Sequence, residues 1–223
     1  MYFKRALSFT MLISEIMGLR SNLNISANFS EENFSPKVLL VGDVGVGKTA
    51  VLERFLNHGF LENKPTLGVN RVSKELNFEN DTIKMQVFDM SGSECYQYSN
   101  QVYYKGAHVA IIVFDAMNFS PFKSIEKWLN LVSKRVLNCK FILVRNKVDL
   151  DRERRGGGSV KSWADEHDIP YFETSALSNE MINELFLSAL KQSLECENGF
   201  YQADPLPRIY LVNENEKIKK RCW

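Results

Sequence analysis

Short apolar runs alternate with segments of helical periodicity over residues 37–194. Apolar runs of strand length occupy 37–42, 108–115 and 140–146, as expected where both faces of a sheet are covered. Segments 69–78 and 82–89 are predicted to be extended and joined by a turn at 79–81, and 170–173 is a short last strand. Apolar residues at helical spacing predict helices over 48–57, 121–137, 159–167 and 179–194, with Ser159 as the cap of the third.

This alternation predicts a three-layer α/β domain. Its sheet has about six strands and is mostly parallel, with one antiparallel pair and helices on both faces. We assign the domain to residues 37–194. Residues 1–36 are expected to be a flexible N-terminal extension and residues 195–223 a C-terminal tail, while the polar segment 152–158 is a solvated loop.

Composition narrows the class of protein. Of 223 residues, 44% are hydrophobic and 12% aromatic, which is enough for an ordinary core. The formal net charge of +1 argues against a general nucleic-acid binder. The four cysteines are scattered and form no CxxC pair, which favours reduced thiols in a cytoplasmic protein. Apolar runs stay well below the roughly 18 residues that span a bilayer.

A phosphate-binding loop is the clearest chemical motif. Residues 42–49 fit the pattern G-x-x-x-x-G-K-[ST] and directly follow the apolar run 37–42. Glycines let backbone N–H groups turn toward an anion, and a helix N-terminus adds positive charge. Lys48 would reach the β- and γ-phosphates, and Thr49 would hold Mg²⁺. An ordinary strand–helix turn is the alternative, which the position of the loop disfavours. The predicted phosphate-binding residues are Gly42, Asp43, Val44, Gly45, Val46, Gly47, Lys48, Thr49 and Ala50.

Two further segments are candidates for contact with a metal ion and the γ-phosphate. Asp89 ends an extended segment and would hold Mg²⁺ through water, while the Gly92 N–H would contact the γ-phosphate. Thr66 lies in a loop long enough to close over the site, where its hydroxyl would join the metal shell only while a γ-phosphate is present. The predicted metal residues are therefore Thr49, Thr66 and Asp89.

The sequence NKVD at 146–149 predicts which base is bound. It follows the run 140–146, at the strand end where a doubly wound sheet binds ligands. The Asp149 carboxylate could accept both N–H donors of guanine, whereas adenine would leave it unsatisfied. A backbone N–H of the segment Thr174-Ser175-Ala176 could contact the guanine O6. The predicted base-binding residues are Asn146, Lys147, Asp149, Thr174, Ser175, Ala176 and Leu177.

Residues 36–194 resemble the Ras superfamily of small GTPases, and its Rab branch most closely. The motifs that carry the resemblance are GDVGVGKT, PTLGV, DMSGSE, NKVD and ETSA, with Rab-like YYKGA at 103–107 and VFD at 113–115. It implies a P-loop NTPase G domain that binds GTP or GDP with Mg²⁺ and regulates membrane trafficking, in the cytoplasm or peripherally on an endomembrane. Phe60 falls where the family places a ring against guanine. Effectors, an exchange factor and a GTPase-activating protein would contact segments 59–70 and 90–104 of a monomer.

The sequence departs from this family at the hydrolytic site. By resemblance the catalytic residues are Lys48, Thr66, Gly92 and Ser93, but the family has a glutamine at position 93 that orients the attacking water. Val44 also replaces a small residue and would crowd the γ-phosphate. We therefore expect slow GTP hydrolysis. Asn70-Arg71 and Phe88 also differ from Rab patterns, so known Rab effectors should not be assumed to bind.

The C-terminal tail permits two interpretations. It ends in a basic run, 217–221, followed by Cys222 and Trp223, which matches neither a double-cysteine ending nor C-a-a-X. A single prenyl group on Cys222 with the adjacent cations would give peripheral membrane contact. An unmodified, solvated tail is the alternative.

Two other functions remain open from the sequence. A GTP-bound scaffold that never cycles would keep the same motifs without turnover. A nucleotide or metabolite kinase would share the phosphate loop but would not need NKVD or TSA.

Overall fold

Six strands and five helices make up the part of the chain that the structure, a computed structural model, describes: residues 35–56, 59, 65–78, 81–93, 101–151 and 157–197. The strands are β1 (Lys37–Val41), β2 (Val69–Phe78), β3 (Asp81–Met90), β4 (Val109–Asp115), β5 (Lys140–Asn146) and β6 (Tyr171–Thr174). The helices are α1 (Lys48–Phe55), α2 (Gln101–Tyr104), α3 (Pro121–Ser133), α4 (Gly158–Glu166) and α5 (Ile182–Glu197).

The strands form one sheet in the order β2-β3-β1-β4-β5-β6. Strand β2 runs antiparallel to β3, from Val69 opposite Met90 to Phe78 opposite Asp81. All other pairs are parallel, and the central strand β1 places Leu39 between Phe88 of β3 and Ala110 of β4. The prediction of a six-stranded, mostly parallel sheet is confirmed.

Two apolar cores lie on opposite faces of the sheet. Alternate residues of β1 enter different cores, because successive side chains of a strand point to opposite faces. Leu39 and Val41 join the core covered by α3 and α4, where Trp128 is fully buried. Val38 and Leu40 join the core covered by α1 and α5. The predicted three-layer arrangement is confirmed.

Several element bounds differ from the predictions. Helix α3 ends at Ser133 rather than 137, because Val136 and Arg135 both donate to the Val132 carbonyl and the chain turns there. Helix α5 starts at Ile182 rather than 179, after a bridge between Ser175 and Glu180, and continues to Glu197. Other bounds shift by one or two residues, and the single-turn helix α2 was not individually predicted.

The predicted cap of α4 is wrong. The helix begins at Gly158, so Ser159 lies inside its first turn, and Gly157 occupies the capping position without a side-chain hydrogen bond. Gly157 lies against β6, where a Cβ would come within 2.2 Å of Glu173 Oε1.

Four of the predicted motif segments lie at the carboxyl ends of β1, β3, β5 and β6, and the segment that contains Thr66 precedes the antiparallel strand β2. Parallel neighbours bring those ends to a single edge of the sheet, which is where ligands bind in this architecture. Among the described helices, none is both long and apolar enough to cross a bilayer.

Candidate nucleotide-binding site

The loop between β1 and α1 is held from both sides by close contacts at glycine, one with a side-chain amide and one with backbone. Gly47 has φ 93°, and a Cβ there would lie 2.4 Å from Asn146 Nδ2. A Cβ on Gly92 would lie 2.5 Å from the backbone of Asp43 and Val44. The Asn146 amide also donates to the Val46 carbonyl at 2.9 Å. The phosphate loop is therefore fixed between the segment after β3 and the loop after β5.

Lys48 lies inside this loop, as the motif predicts. Its ammonium donates to the carbonyls of Gly42 and Asp43 at 2.9 and 2.8 Å. Burial lowers the pKa of Lys48 to about 8, while the carboxylates of Asp89 and Asp43 act in the opposite direction. An ammonium held by two carbonyls of a phosphate loop is suited to an anionic ligand.

Thr49, Thr66 and Asp89 meet although they come from α1, the segment before β2 and β3. Thr49 Oγ1 donates to Asp89 Oδ2 at 2.5 Å and lies 2.8 Å from Thr66 Oγ1. Thr66 Oγ1 is 3.4 Å from the same carboxylate oxygen. The three predicted metal residues thus form one cluster of oxygens.

The Asp89 carboxylate has the character of a metal ligand. The residue is fully buried, and its Oδ1 has no hydrogen-bond partner. Burial raises the pKa of Asp89, against the effects of the Thr49 hydrogen bond and the Lys48 charge. A buried, unpaired oxygen is costly unless a ligand satisfies it. One carboxylate with hydroxyls and phosphate oxygens fits Mg²⁺.

The two predicted base-binding segments also converge. Asn146 Oδ1 accepts a hydrogen bond from Thr174 Oγ1 at 3.1 Å, so this buried asparagine joins the phosphate loop to β6. Asp149 Oδ1 accepts from Ser175 Oγ at 2.5 Å. Lys147 has φ 66° and pairs with Asp115 Oδ2 at 2.7 Å. The base side of the site is therefore one hydrogen-bonded unit.

Ala176 and Leu177 are held by helix α1. Arg54 donates through Nε to the Ala176 carbonyl at 2.8 Å and through Nη2 to the Leu177 carbonyl at 2.9 Å. The Ser175 N–H donates to the Glu180 carbonyl at 3.3 Å. The segment 174–177 is thereby fixed to the same helix that starts with Lys48 and Thr49.

The two departures at the hydrolytic site lie in adjoining segments. The Val44 side chain is exposed at the tip of the phosphate loop, next to the backbone that Gly92 contacts. Ser93 follows Gly92, and its N–H donates to Ser91 Oγ at 3.3 Å. Phe60 and residues 94–100, also expected near the site, lie outside the described residues.

Sequence reasoning missed that the Asp43 side chain turns away from the loop to bind helix α3. It accepts hydrogen bonds from Ser124 Oγ and, at 3.0 Å, from Trp128 Nε1, with Lys127 Nζ at 3.5 Å. Burial alone would raise the pKa of Asp43, but these hydrogen bonds outweigh it and the pKa falls below its usual value. Asp115, the partner of Lys147, was also missed. The available signal was the presence of polar groups such as the Asp43 and Asp115 carboxylates and the Trp128 N–H in the sequence. Sequence alone does not show which of these groups pair.

Comparison with known proteins agrees with this geometry. Residues 37–195 match the Ras family. The chain is 36% identical over 165 residues to "Ras-related protein Rab-11A" of Dictyostelium discoideum, covering 73% of this chain and 77% of that protein. It is 35% identical over 192 residues to "Ras-related protein Rab-1D" of the same organism, with 85% and 94% covered. "Ypt/Rab-type GTPase ypt7" of Schizosaccharomyces pombe is 31% identical over 196 residues, with 83% and 96% covered. The chain therefore belongs to the Ras family and is a Rab-like, GTP-binding small GTPase.

Proposed function

We propose that this protein is a guanine-nucleotide switch that alternates between GTP- and GDP-bound forms with Mg²⁺. The observation that carries the proposal is the meeting of Thr66 with Thr49 and Asp89. Thr66 belongs to the loop before β2. Through its hydroxyl, a change of ligand at the phosphate site would change the conformation of that loop. In that site Thr49, Thr66 and Asp89 would hold Mg²⁺, which would supply charge neutralisation for the phosphates.

The same proposal includes slow hydrolysis. Ser93 is too short to orient an attacking water as a glutamine does, and Val44 occupies space beside Gly92 where an arginine from a GTPase-activating protein would approach. Such an arginine is worth about 10³–10⁵ in rate. A protein that lacks both aids would stay GTP-loaded for long periods, with its state set by nucleotide exchange.

Nucleotide binding and turnover test this proposal together. We expect calorimetry to give a GTP affinity at least about 100-fold above that for ATP, since adenine offers Asp149 no pair of N–H donors. Single-turnover hydrolysis should be slower than the roughly 10⁻⁴ s⁻¹ of an intrinsic small GTPase. Equal binding of ATP would overturn the switch, and an ordinary rate would overturn only the slow-hydrolysis part. Bound GTP that neither turns over nor exchanges would favour the scaffold instead.

A role in membrane trafficking is proposed from the Rab names of the relatives. Partners would bind a monomer through segments 59–70 and 90–104, whose described part exposes the apolar side chains of Leu67 and Val102. Peripheral membrane contact would use residues 217–223, which lie outside the described residues. Detergent partitioning of wild type against Cys222→Ser tests a lipid on that cysteine: if both stay in the aqueous phase, the tail is unmodified.

A further inference from the structure

Strand β5 contains a buried arginine that none of the predicted motifs includes. Arg145 directly precedes Asn146, and its side chain is only 1% exposed. A guanidinium placed among apolar strands is unfavourable unless every part of it is paired. Arg145 forms an ion pair through Nη2 with Asp151 and another through Nη1 with Glu173 Oε1, 3.3 Å away. Nη2 also donates to the Ala116 carbonyl at 3.4 Å.

The pair between Arg145 and Asp151 closes the loop that carries the base-binding motif. Residues 146–150 lie between these two partners, and Asp149 is among them. Within the loop, the Leu150 N–H donates to the Lys147 carbonyl at 3.0 Å and the Asp151 N–H to the Val148 carbonyl at 3.2 Å. The ion pair therefore joins both ends of a tight turn and restricts where the Asp149 carboxylate can point.

The other two contacts of the guanidinium reach the neighbouring loops of the base side. Ala116 follows Asp115, which pairs with Lys147. Glu173 precedes Thr174, which holds Asn146, and Glu173 also accepts a hydrogen bond from the Tyr171 hydroxyl at 3.0 Å. A single side chain thus connects the ends of β4, β5 and β6 beneath the place proposed for guanine.

We propose that Arg145 is a positioning residue for guanine recognition, acting through Asp151 on the orientation of Asp149. The inference rests on the proposed binding of guanine by Asp149. A carboxylate accepts two N–H donors of one base only when both of its oxygens lie near the plane of that base, and a displacement of about 1 Å weakens such a contact strongly. Loss of the ion pair would free the loop and weaken the hydrogen bonds to guanine more than the contacts to phosphate.

The test compares GDP with inosine diphosphate, whose base lacks the 2-amino group. In full-length Arg145→Met we expect GDP to dissociate about tenfold faster than from wild type. The preference for GDP over inosine diphosphate should fall by about threefold or more, because the 2-amino contact with Asp149 is the one lost. Asp151→Asn should change both quantities in the same direction by a smaller factor. Arg135→Met is the matched control: this arginine contacts the Leu131 carbonyl and the Tyr104 ring, beyond the opposite ends of the strands.

A purely structural role would speed the release of both nucleotides equally, so an unchanged preference in Arg145→Met and Asp151→Asn overturns the inference. An equal effect of Arg135→Met overturns it as well. If circular dichroism shows that Arg145→Met does not fold, Asp151→Asn decides the question by the same two measurements. If wild type itself does not prefer GDP over inosine diphosphate, guanine recognition by Asp149 fails, and the proposed function fails with it.

Discussion

Two glycines of the phosphate loop differ in why they disfavour a larger residue: one only through its backbone conformation, the other also through a steric contact. Gly45 and Gly47 both have positive φ, at 79° and 93°. A Cβ on Gly45 would meet nothing within 4 Å, whereas on Gly47 it would lie 2.4 Å from Asn146 Nδ2. An alanine at either position costs about 1–2 kcal/mol for the left-handed backbone. At Gly47 it must in addition displace a buried amide that is hydrogen-bonded to Val46.

We therefore expect Gly47→Ala to lose about 1–3 kcal/mol more unfolding free energy than Gly45→Ala. Urea unfolding of the nucleotide-free variants measures the difference, since phosphate contacts then contribute nothing. Equal losses for the two variants would show that the contact between the phosphate loop and Asn146 has no energetic weight.

At position 93 a longer amide side chain should restore water positioning. Ser93→Gln is expected to raise single-turnover GTP hydrolysis roughly tenfold or more, which corresponds to about 1.4 kcal/mol of barrier. Ser93→Ala is the control and should leave the rate unchanged, because the serine side chain is proposed to be too short to orient the attacking water. If the Gln and Ala variants hydrolyse GTP at the same rate, the position does not limit turnover.

The placement of single residues could be predicted where chemistry fixes the residue type and spacing. Lys48 and Thr49 follow the phosphate loop and Asp89 lies near the end of β3, and the structure brings these motif segments together at the same edge of the sheet. The partners of Asp43 and Arg145 could not be predicted. Trp128 and Glu173 lie far away in sequence, and a carboxylate or a guanidinium is compatible with many partners until the fold brings one near.

At the scale of elements, helices α1 and α5 form a common support for the phosphate loop. Phe55 of α1 stacks on Phe186 of α5, with ring centroids 3.8 Å apart and 13° between planes. Both rings are buried in the core that includes Val38 and Leu40 of β1. Since α1 begins with Lys48, this packing fixes the direction in which the phosphate loop enters the helix.

Removing the ring from α5 should cost stability, although Phe186 is not among the predicted nucleotide-binding residues. Phe186→Ala is expected to lower the unfolding free energy by about 3–5 kcal/mol through lost burial and a residual cavity. The next residue, Leu187, is 39% exposed, and Leu187→Ala should cost about 0.5–1 kcal/mol. Chemical unfolding followed by circular dichroism measures the unfolding free energy of both variants. Similar losses would mean that the stacked rings of Phe55 and Phe186 add no more stability than a half-exposed leucine.

The existence and type of most elements followed from periodicity, whereas several ends did not. Leu137 was included in the predicted helix, yet it is exposed beyond the end of α3. The helix ends where the N–H groups of Arg135 and Val136 both donate to the Val132 carbonyl. The spacing of apolar residues does not predict such a turn. Just before α5, Asn179 and Met181 have positive φ. They flank Glu180, which forms a β-bridge with Ser175, so this backbone conformation accompanies a tertiary contact. Such ends depend on tertiary contacts rather than on local sequence.

On the scale of the whole molecule, the candidate site joins segments that span most of the domain. Thr66 precedes the edge strand β2, and Ser175 follows the opposite edge strand β6. The overall sheet could be predicted because apolar runs alternate with helices, and parallel connections bring the motif loops to one edge. A ligand that contacts all these loops must therefore stabilise the entire sheet and not a single loop.

Thermal unfolding with and without nucleotide tests that coupling. GDP and Mg²⁺ at about 1,000 times the dissociation constant should add about 4 kcal/mol. For a domain of this size that corresponds to a rise of roughly 8–16 °C in Tm.

Chelation of Mg²⁺ should remove part of the rise, because Asp89 Oδ1 would again have no partner. ADP at the same concentration should give little shift, since adenine offers Asp149 no pair of N–H donors. A rise with ADP equal to that with GDP would mean that the base loops take no part in binding. A rise that chelation leaves undiminished would mean that the cluster of Thr49, Thr66 and Asp89 holds no ion.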